Sequence, residues 1–118
     1  MGIFSPVVEA IKAAFRFIRN LVRYIIRGVL DFFAHVVNWF KKIYYLDQER
    51  HVPFIADANQ LKDLIHSAPT KNVGIFEGVY DEVTEEIVEH RQVEADQLDS
   101  KTKEVLGNEP LVVLPLRM

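Results

Sequence analysis

Cysteine is absent from this sequence, and glycine and proline number only five each among its 118 residues. Without cysteine the chain has no disulfide framework, no thiolate metal site and no cysteine nucleophile. The scarcity of glycine and proline excludes a collagen-like or Pro/Gly-rich repeat, and a hydrophobic fraction of 49% excludes a disordered polar tail. A chain of this length suits one compact domain, or a small domain that carries one extended element.

Long apolar runs are also missing. In residues 6–45 the longest stretch free of charged residues and histidine is residues 36–40. A transmembrane helix needs about 20 consecutive, mostly apolar residues. The sequence therefore gives no indication of a membrane-spanning helix, and we expect a cytoplasmic protein, with the inner face of a membrane as an alternative location.

Charged and aromatic residues divide the chain into two unlike parts. Residues 1–46 hold seven lysines and arginines against two acidic residues, a net charge of +5, and ten of the thirteen aromatic residues. Residues 47–118 hold seven basic residues against fifteen acidic ones, a net charge of −8. We therefore predict a basic N-terminal element over residues 1–46, a linker over residues 47–51 and a small acidic domain over residues 52–118.

The basic part carries a helical pattern. Its polar residues recur at steps of three and four from Glu9 to Lys42, which is the α-helical period. Ser5 followed by Pro6 is typical of a helix start, because serine caps well and proline suits the first helical position. The pattern predicts one long amphipathic helix over residues 6–45.

The predicted helix has a wide apolar face. Forty helical residues extend about 60 Å, whereas a domain formed by the rest of the chain would be only about 28 Å across. We therefore expect the uncovered part of the face to pack in a homo-oligomer, against a partner protein or on a membrane surface. The face comprises Phe15, Ile18, Val22, Ile25, Val29, Phe32, Phe33, Val36, Trp39 and Phe40.

Five cationic residues recur at helical spacing on the predicted polar face: Lys12, Arg16, Arg19, Arg23 and Arg27. Like charges at this spacing repel one another by roughly 0.2–0.5 kcal/mol per pair. An anionic partner would relieve the repulsion, and phospholipid head groups, the acidic part of a neighbouring subunit and nucleic-acid phosphates have the required charge. Nucleic acid is the weakest of the three because the net charge is −3 and no nucleic-acid-binding motif is present.

The acidic part predicts an α+β domain. Its apolar runs and alternating patterns predict four strands, at residues 52–55, 73–80, 86–95 and 111–114. Helices are predicted after Asp57 and after Asp96, with Gly107 as the stop of the second. The order is then β-α-β-β-α-β, as in a ferredoxin-like split βαβ unit. Because Pro53 disfavours an internal strand, a three-stranded sheet with two helices is the alternative.

The sequence contains no recognisable catalytic, cofactor-binding or metal-binding motif. The four histidines share no metal-ligand spacing with each other or with a pair of carboxylates. The serines have no nucleophile-elbow context, and the glycines form no phosphate-binding loop. The acidic run at residues 81–89 is more typical of a solvated hairpin than of a cation site. We therefore predict no catalytic residue, no cofactor and no metal.

These patterns favour a non-enzymatic, self-assembling scaffold or adaptor. In this hypothesis the amphipathic helix drives oligomerisation, binding to an anionic membrane surface, or both, and the acidic domain is presented to a partner. The alternative is a small binding or regulatory domain whose helix docks into the groove of a dedicated partner protein. An enzyme built on a ferredoxin-like unit is the third hypothesis.

Overall fold

The computed structural model describes residues 6–43, 49–66 and 68–114, which form a mixed α+β fold. The α-helices are α1 (Pro6–Ala14), α2 (Asn38–Ile43), α3 (Lys62–Ile65) and α4 (Ser100–Leu106). The strands are β1 (Arg23–Ile25), β2 (Val29–Leu30), β3 (His51–Asp57), β4 (Val73–Asp81), β5 (Glu86–Ala95), β6 (Gln97–Leu98) and β7 (Leu111–Val113). A 3-10 turn, Phe15–Phe17, follows α1, and a π-helical segment, Phe32–Val37, leads into α2.

Five strands form a mixed sheet in the order β1-β5-β4-β3-β7, and β2 and β6 form a separate two-stranded ladder. β1 runs parallel to β5, and the other neighbours in the main sheet are antiparallel. The four antiparallel strands follow the spatial order of a Greek key, in which three consecutive strands pair in turn and the fourth returns beside the first. The predicted succession of strands and helices in the acidic part is confirmed, with β6 as an additional short strand.

The ferredoxin-like topology is wrong. In a split βαβ unit the strands on either side of the helix run parallel, with another strand between them, whereas β3 and β4 are direct antiparallel neighbours. The physical reason is the length of α3. Four helical residues span about 6 Å, while the seven residues of β3 span roughly 23 Å, so the helix does not carry the chain back along the sheet. β4 therefore begins beside the end of β3.

β3 is an internal strand although it contains Pro53. Pro53 pairs with Val79 of β4, and its carbonyl oxygen accepts a hydrogen bond from the backbone N–H of Leu114 at 2.9 Å. Because the ladder with β7 ends at Val113, the N–H that proline lacks falls at the end of that ladder. The three-stranded alternative is therefore wrong.

The single helix predicted over residues 6–45 is also wrong. Helix α1 ends at Ala14, and Asn20 and Gly28 adopt left-handed backbone conformations with φ of 54° and 96°. Between these two residues the chain runs extended through β1, and helical structure resumes only after Asp31. The pairing of β1 with β5 outweighs the helical periodicity, because it supplies backbone hydrogen bonds to the sheet while Phe15, Phe32 and Phe40 on either side of β1 in the chain enter the two cores.

Apolar residues of the N-terminal part cover both faces of the sheet. On one face α1, the 3-10 turn and α3 contribute Ile11, Ala14, Phe15, Leu61 and Ile65 to a cluster with Phe54 and Phe76. On the other face the π-helical segment, α2 and α4 contribute Phe32, Val36, Phe40 and Leu106 to a cluster with Ile55, Ile75 and Val93. The basic and acidic parts therefore share two hydrophobic cores. Residues 44–48, which include the predicted helix end and the start of the predicted linker, lie outside the described residues.

Two aspartates of the acidic part bind the N-terminal segment. Asp99 caps α4 by accepting hydrogen bonds from the backbone N–H and the hydroxyl of Thr102 at 2.9 and 2.6 Å, and its other oxygen accepts from the backbone N–H of Phe32 at 3.0 Å. Asp96 accepts a hydrogen bond from the backbone N–H of Gly28 at 2.9 Å. The helix predicted after Asp96 is therefore capped by Asp99 and not by Asp96, and Gly107 ends it as predicted.

Gly78 of β4 lies directly opposite Phe54 of β3. A methyl group at this position would lie 2.5 Å from Cζ and 2.7 Å from Cε1 of the Phe54 ring, which itself stacks on Phe76. We expect Gly78→Ala to reduce the free energy of unfolding by about 1–3 kcal/mol, because the packed ring moves only at the expense of its neighbours. Urea denaturation measures this loss. An unchanged stability, or the same loss in a Phe54→Leu background, would contradict the clash.

Candidate functional site

The ten residues of the predicted apolar face do not come together on one helix face. Four are buried, in the cores on both sides of the sheet: Phe15, Phe32, Val36 and Phe40. Two are partly buried against those cores: Ile18 and Trp39. The remaining four are between 44% and 59% exposed: Val22, Ile25, Val29 and Phe33. The exposed members therefore belong to β1, β2 and the segments next to them.

The five residues of the predicted cationic stripe are likewise divided. Lys12 forms a surface ion pair with Glu9 at 3.7 Å, and Arg23 pairs with the buried carboxylate of Glu94. The other three have exposed side chains: Arg16, Arg19 and Arg27. Because α1 ends before Arg16, no continuous helix aligns these side chains, but the exposed arginines still lie close in sequence to β1.

Glu94, on β5, is fully buried and accepts four hydrogen bonds. One of its oxygens accepts from the backbone N–H and the hydroxyl of Thr70, each at 2.7 Å, and the other accepts from Gln92 Nε2 at 2.9 Å and from Arg23. Burial opposes ionisation, but the hydrogen bonds and the charge of Arg23 outweigh it, so the pKa of Glu94 lies below its ordinary value. This network joins β1 and the segment before β4 to the middle of the sheet.

A second buried carboxylate, Glu77 of β4, lies on the opposite face of the sheet. It accepts a hydrogen bond from Nε of Arg91 on β5 at 2.7 Å, and a terminal nitrogen of Arg91 donates to the backbone carbonyl of His35 at 2.7 Å. Burial raises the pKa of Glu77 to about 8, although the charge of Arg91 and its hydrogen bond act in the opposite direction. Glu77 therefore holds the Arg91 side chain in place from inside the sheet.

The third carboxylate network lies where β3 begins and β4 ends. Asp81 accepts hydrogen bonds from Nε of Arg50 at 3.1 and 3.0 Å and from the backbone N–H of Val83 at 2.8 Å, and Nε2 of His51 lies 3.2 Å from Oδ2 of Asp81. The hydrogen bonds from Arg50 make the largest contribution to lowering the pKa of Asp81 to about 2. The carboxylate is engaged in closing the β4–β5 hairpin, which favours a structural role over catalysis by the His51–Asp81 pair.

Exposed apolar side chains are concentrated around β1. Nine large hydrophobic side chains of the described residues are between 39% and 67% exposed, and six of these fall between Phe17 and Phe33. Five of the six, here called the β1 patch, are Val22, Tyr24, Ile25, Val29 and Phe33. Val22, Tyr24 and Ile25 lie in or next to β1, and Val29 and Phe33 follow in β2 and the π-helical segment. Exposed apolar side chains at a sheet edge favour an interaction surface.

β1 is an edge strand that directs backbone N–H and C=O groups away from the sheet. It pairs with β5 on one side and with no strand of the described residues on the other. The carbonyl of Val22 accepts from β5 and the N–H of Ile26 donates to β5, both at 2.8 Å. Alternation along the strand therefore directs the N–H and C=O groups of Ile25 away from the sheet. The charged residue of β1, Arg23, extends its side chain to Glu94 rather than across the edge.

Sequence reasoning missed β1 and the buried polar residues of β4 and β5. Tyr24, Ile25 and Ile26, followed by Gly28, carry the signal of a short strand and a turn, but the longer helical pattern obscured it. The burial of Glu77 and Glu94 had no such signal. A polar residue in a strand ordinarily faces water, whereas both faces of this sheet are covered.

Among the described residues no group of three or more His, Asp or Glu side chains is arranged to hold a metal ion. None of the helices formed by residues 6–43, 49–66 and 68–114 has the length and apolar character needed to cross a membrane. Comparison of the chain with protein-family models, with curated proteins and with solved structures finds no match.

Proposed function

We propose that this protein is a non-enzymatic adaptor that binds an extended, acidic segment of a partner protein by strand addition at β1. The observation that carries the proposal is the presence, on one edge strand, of outward-directed backbone groups beside exposed apolar side chains. In strand addition the main-chain hydrogen bonds provide affinity, and the side chains that flank the edge provide specificity.

The β1 patch suits an added strand because it borders the edge from both faces of the sheet. Successive side chains of a strand alternate, so Val22 and Tyr24 lie on one face and Ile25 on the other. All three are more than 45% exposed. Natural edge strands usually carry charges or proline that prevent pairing with another chain. Here the charge of Arg23 is directed to Glu94, which leaves the edge without that protection.

Charge complementarity identifies the occupant as acidic. Residues 16–33 contain four arginines and a single acidic residue, Asp31. Because Arg16, Arg19 and Arg27 are exposed and flank β1 in the sequence, we expect a positive potential near the edge that attracts aspartate and glutamate side chains. A second copy of β1 would bring the same arginines to the edge, and like charges on paired strands are destabilising. A partner with an acidic strand therefore fits better than a β1–β1 dimer.

Self-assembly is the second candidate, and it rests on the opposite edge of the sheet. β7 is the other edge strand, and its residues are all apolar. Pairing β1 of one copy with β7 of the next would extend the sheet from molecule to molecule. A contact between two different surfaces builds a ring when the rotation between copies closes and a filament when it does not. This arrangement would make the protein a scaffold rather than an adaptor.

The test uses the full chain and a short synthetic peptide of alternating valine and glutamate, with lysine replacing glutamate in the control peptide. Isothermal titration calorimetry should show tighter binding of the glutamate peptide. Ile25→Pro removes the outward N–H and leaves the ladder to β5 intact, so it should weaken binding about tenfold or more. Ile25→Val retains both the N–H and the apolar side chain and should bind like the native protein. Equal binding by the two variants, or no binding of the glutamate peptide, would overturn the proposal.

Two further measurements separate the adaptor from its alternatives. Light scattering of the full chain without peptide tests self-assembly. Polymers that form in the native protein and in Ile25→Val but not in Ile25→Pro would favour the self-assembling scaffold over the adaptor. Flotation with vesicles that contain phosphatidylserine tests the membrane surface, since arginines beside exposed apolar residues also suit an anionic membrane. Flotation that is equal for Ile25→Pro and Ile25→Val, without peptide binding, would replace strand addition with membrane-surface binding.

A further inference from the structure

A small pocket of about 120 Å³ lies between β1, β5, the π-helical segment and α2. Its polar and aromatic lining consists of Tyr24, His35, Asn38, Trp39, Lys42 and Arg91. The pocket holds the volume of about four water molecules at roughly 30 Å³ each, which suits one small polar group rather than a complete nucleotide or a drug-sized ligand. No acidic side chain is among the described residues that line it.

Arg91 is held rigidly at this pocket. Its Nε donates to Glu77 and one terminal nitrogen donates to the carbonyl of His35, both at 2.7 Å. Its guanidinium carbon lies 4.9 Å from the ring centre of Tyr24 and 5.2 Å from that of Trp39. A guanidinium has five N–H groups, so three remain after the two hydrogen bonds that the described residues accept. The arginine is therefore positioned in advance and retains donors for a ligand.

The other polar groups of the pocket are also donors. Lys42 adds a second positive charge, and Asn38 adds an amide. Nδ1 of His35 accepts a hydrogen bond from the backbone N–H of Asp31 at 2.8 Å. A neutral imidazole that accepts at Nδ1 carries its proton at Nε2, so His35 is a donor there as well. A set of donors with no acidic side chain among the residues that line the pocket suits an anion.

Glu77 supports Arg91 without occupying the pocket. It is fully buried, and its second oxygen, Oε2, has no hydrogen-bond partner among the described residues. Burial raises the pKa of this carboxyl to about 8. Even when Glu77 is ionised, its single negative charge is outnumbered by the positive charges of Arg91 and Lys42. The site keeps an excess of positive charge, although one carboxylate lies behind it.

We propose that this pocket binds a single small oxyanion group, a phosphate or a carboxylate, through Arg91 and Lys42. Both groups offer oxygen acceptors that match the guanidinium fork, and charge-assisted hydrogen bonds of this type are the strong ones. The proposal is independent of strand addition at β1, because it uses side chains on one face of the sheet and not the outward backbone groups of Ile25.

Trp39 provides the readout, since it is the single tryptophan of the chain and lines the pocket. The full-length protein is titrated with sodium phosphate or sodium acetate at constant ionic strength, with sodium chloride as the reference, and Trp39 fluorescence is followed. We expect a saturable change with phosphate, acetate or both, and none with chloride. Isothermal titration calorimetry gives the affinity of the same anions.

Two neighbouring lysines make a matched pair of variants. Lys42 lines the pocket, whereas Lys41 is exposed and does not. Lys42→Gln should weaken anion binding about tenfold, as expected for the loss of one hydrogen bond from a charged group, and Lys41→Gln should leave it unchanged. Identical responses to oxyanions and chloride, or equal weakening by the two variants, would overturn the proposal. Either result leaves the peptide-binding test of Ile25 unaffected, so the two proposals fail separately.

Discussion

Phe40→Ala is expected to lower the free energy of unfolding by about 3–5 kcal/mol, whereas Phe33→Ala should lower it by about 1 kcal/mol or less. Phe40 is fully buried between α2 and the sheet, while the side chain of Phe33 is 59% exposed. Truncation of Phe40 leaves a cavity whose packed neighbours relax only in part. Truncation of Phe33 removes a ring that largely faces water. Urea denaturation of both variants at the same pH measures the difference.

The comparison tests the local helical geometry because the two phenylalanines are seven residues apart. In a continuous helix two such residues lie only about 20° apart around the helix axis and therefore share a face. They would then contribute to the same surface and respond alike to truncation. Equal losses in the two variants would contradict the burial of Phe40 and the exposure of Phe33 that the π-helical segment produces. The two substitutions remove the same atoms, so their chemistry does not account for a difference.

Glu94→Gln is expected to destabilise the protein by about 3 kcal/mol, because an amide replaces a fully buried carboxylate that accepts four hydrogen bonds, and the NH2 group of the amide cannot accept any of them. The substitution takes the negative charge away from Arg23 and disturbs the hydrogen bonds from Thr70. Glu89→Gln on the same strand is the matched control, since Glu89 lies outside this network, and it should change stability by about 0.5 kcal/mol or less. Urea denaturation near neutral pH measures both.

The pH dependence of the same two variants gives an independent readout. The pKa of Glu94 is lower in the folded protein than its reference value of 4.5, so the folded state keeps the carboxylate ionised to lower pH than the unfolded chain does. Its contribution is complete above that reference value and is lost as the pH falls through the folded pKa. The stability gap between the native protein and Glu94→Gln should therefore narrow on acidification below about pH 4.5, the reference value. A gap that is constant with pH, or similar losses in Glu94→Gln and Glu89→Gln, would contradict the network.

The sheet of the acidic part was largely predictable because its signals are local. Strands were predicted at residues 73–80 and 86–95, and β4 and β5 cover these positions. The helix stop at Gly107 follows from a residue that favours left-handed conformations, and Asp81 begins the turn between β4 and β5 by accepting from the backbone N–H groups of Val83 and Thr84. Strand order was not predictable in this way, because neighbours in a sheet are chosen by contacts between distant segments.

The candidate site depended still more on distant contacts. Tyr24 was predicted to lie in a helix, yet it lies in the edge strand and beside the guanidinium of Arg91. Arg23 was predicted to meet an anionic partner, yet its charge is paired with Glu94 within the same chain. The local sequence indicates neither contact, because Arg91 is 67 residues from Tyr24 and Glu94 is 71 residues from Arg23.

By itself the sequence determined that thiol chemistry is absent and that residues 51–113 form strands and helices in an α+β succession. It also determined that basic and aromatic residues are concentrated in the first 46 positions. Only the tertiary structure decided that Phe40 is buried, that Phe33 faces water and that β1 is the edge strand of the sheet. The physical reason is the distance along the chain between partners. Arg23 and Glu94 are 71 residues apart, and such contacts outweigh local helical propensity, which differs by less than about 1 kcal/mol between ordinary residues.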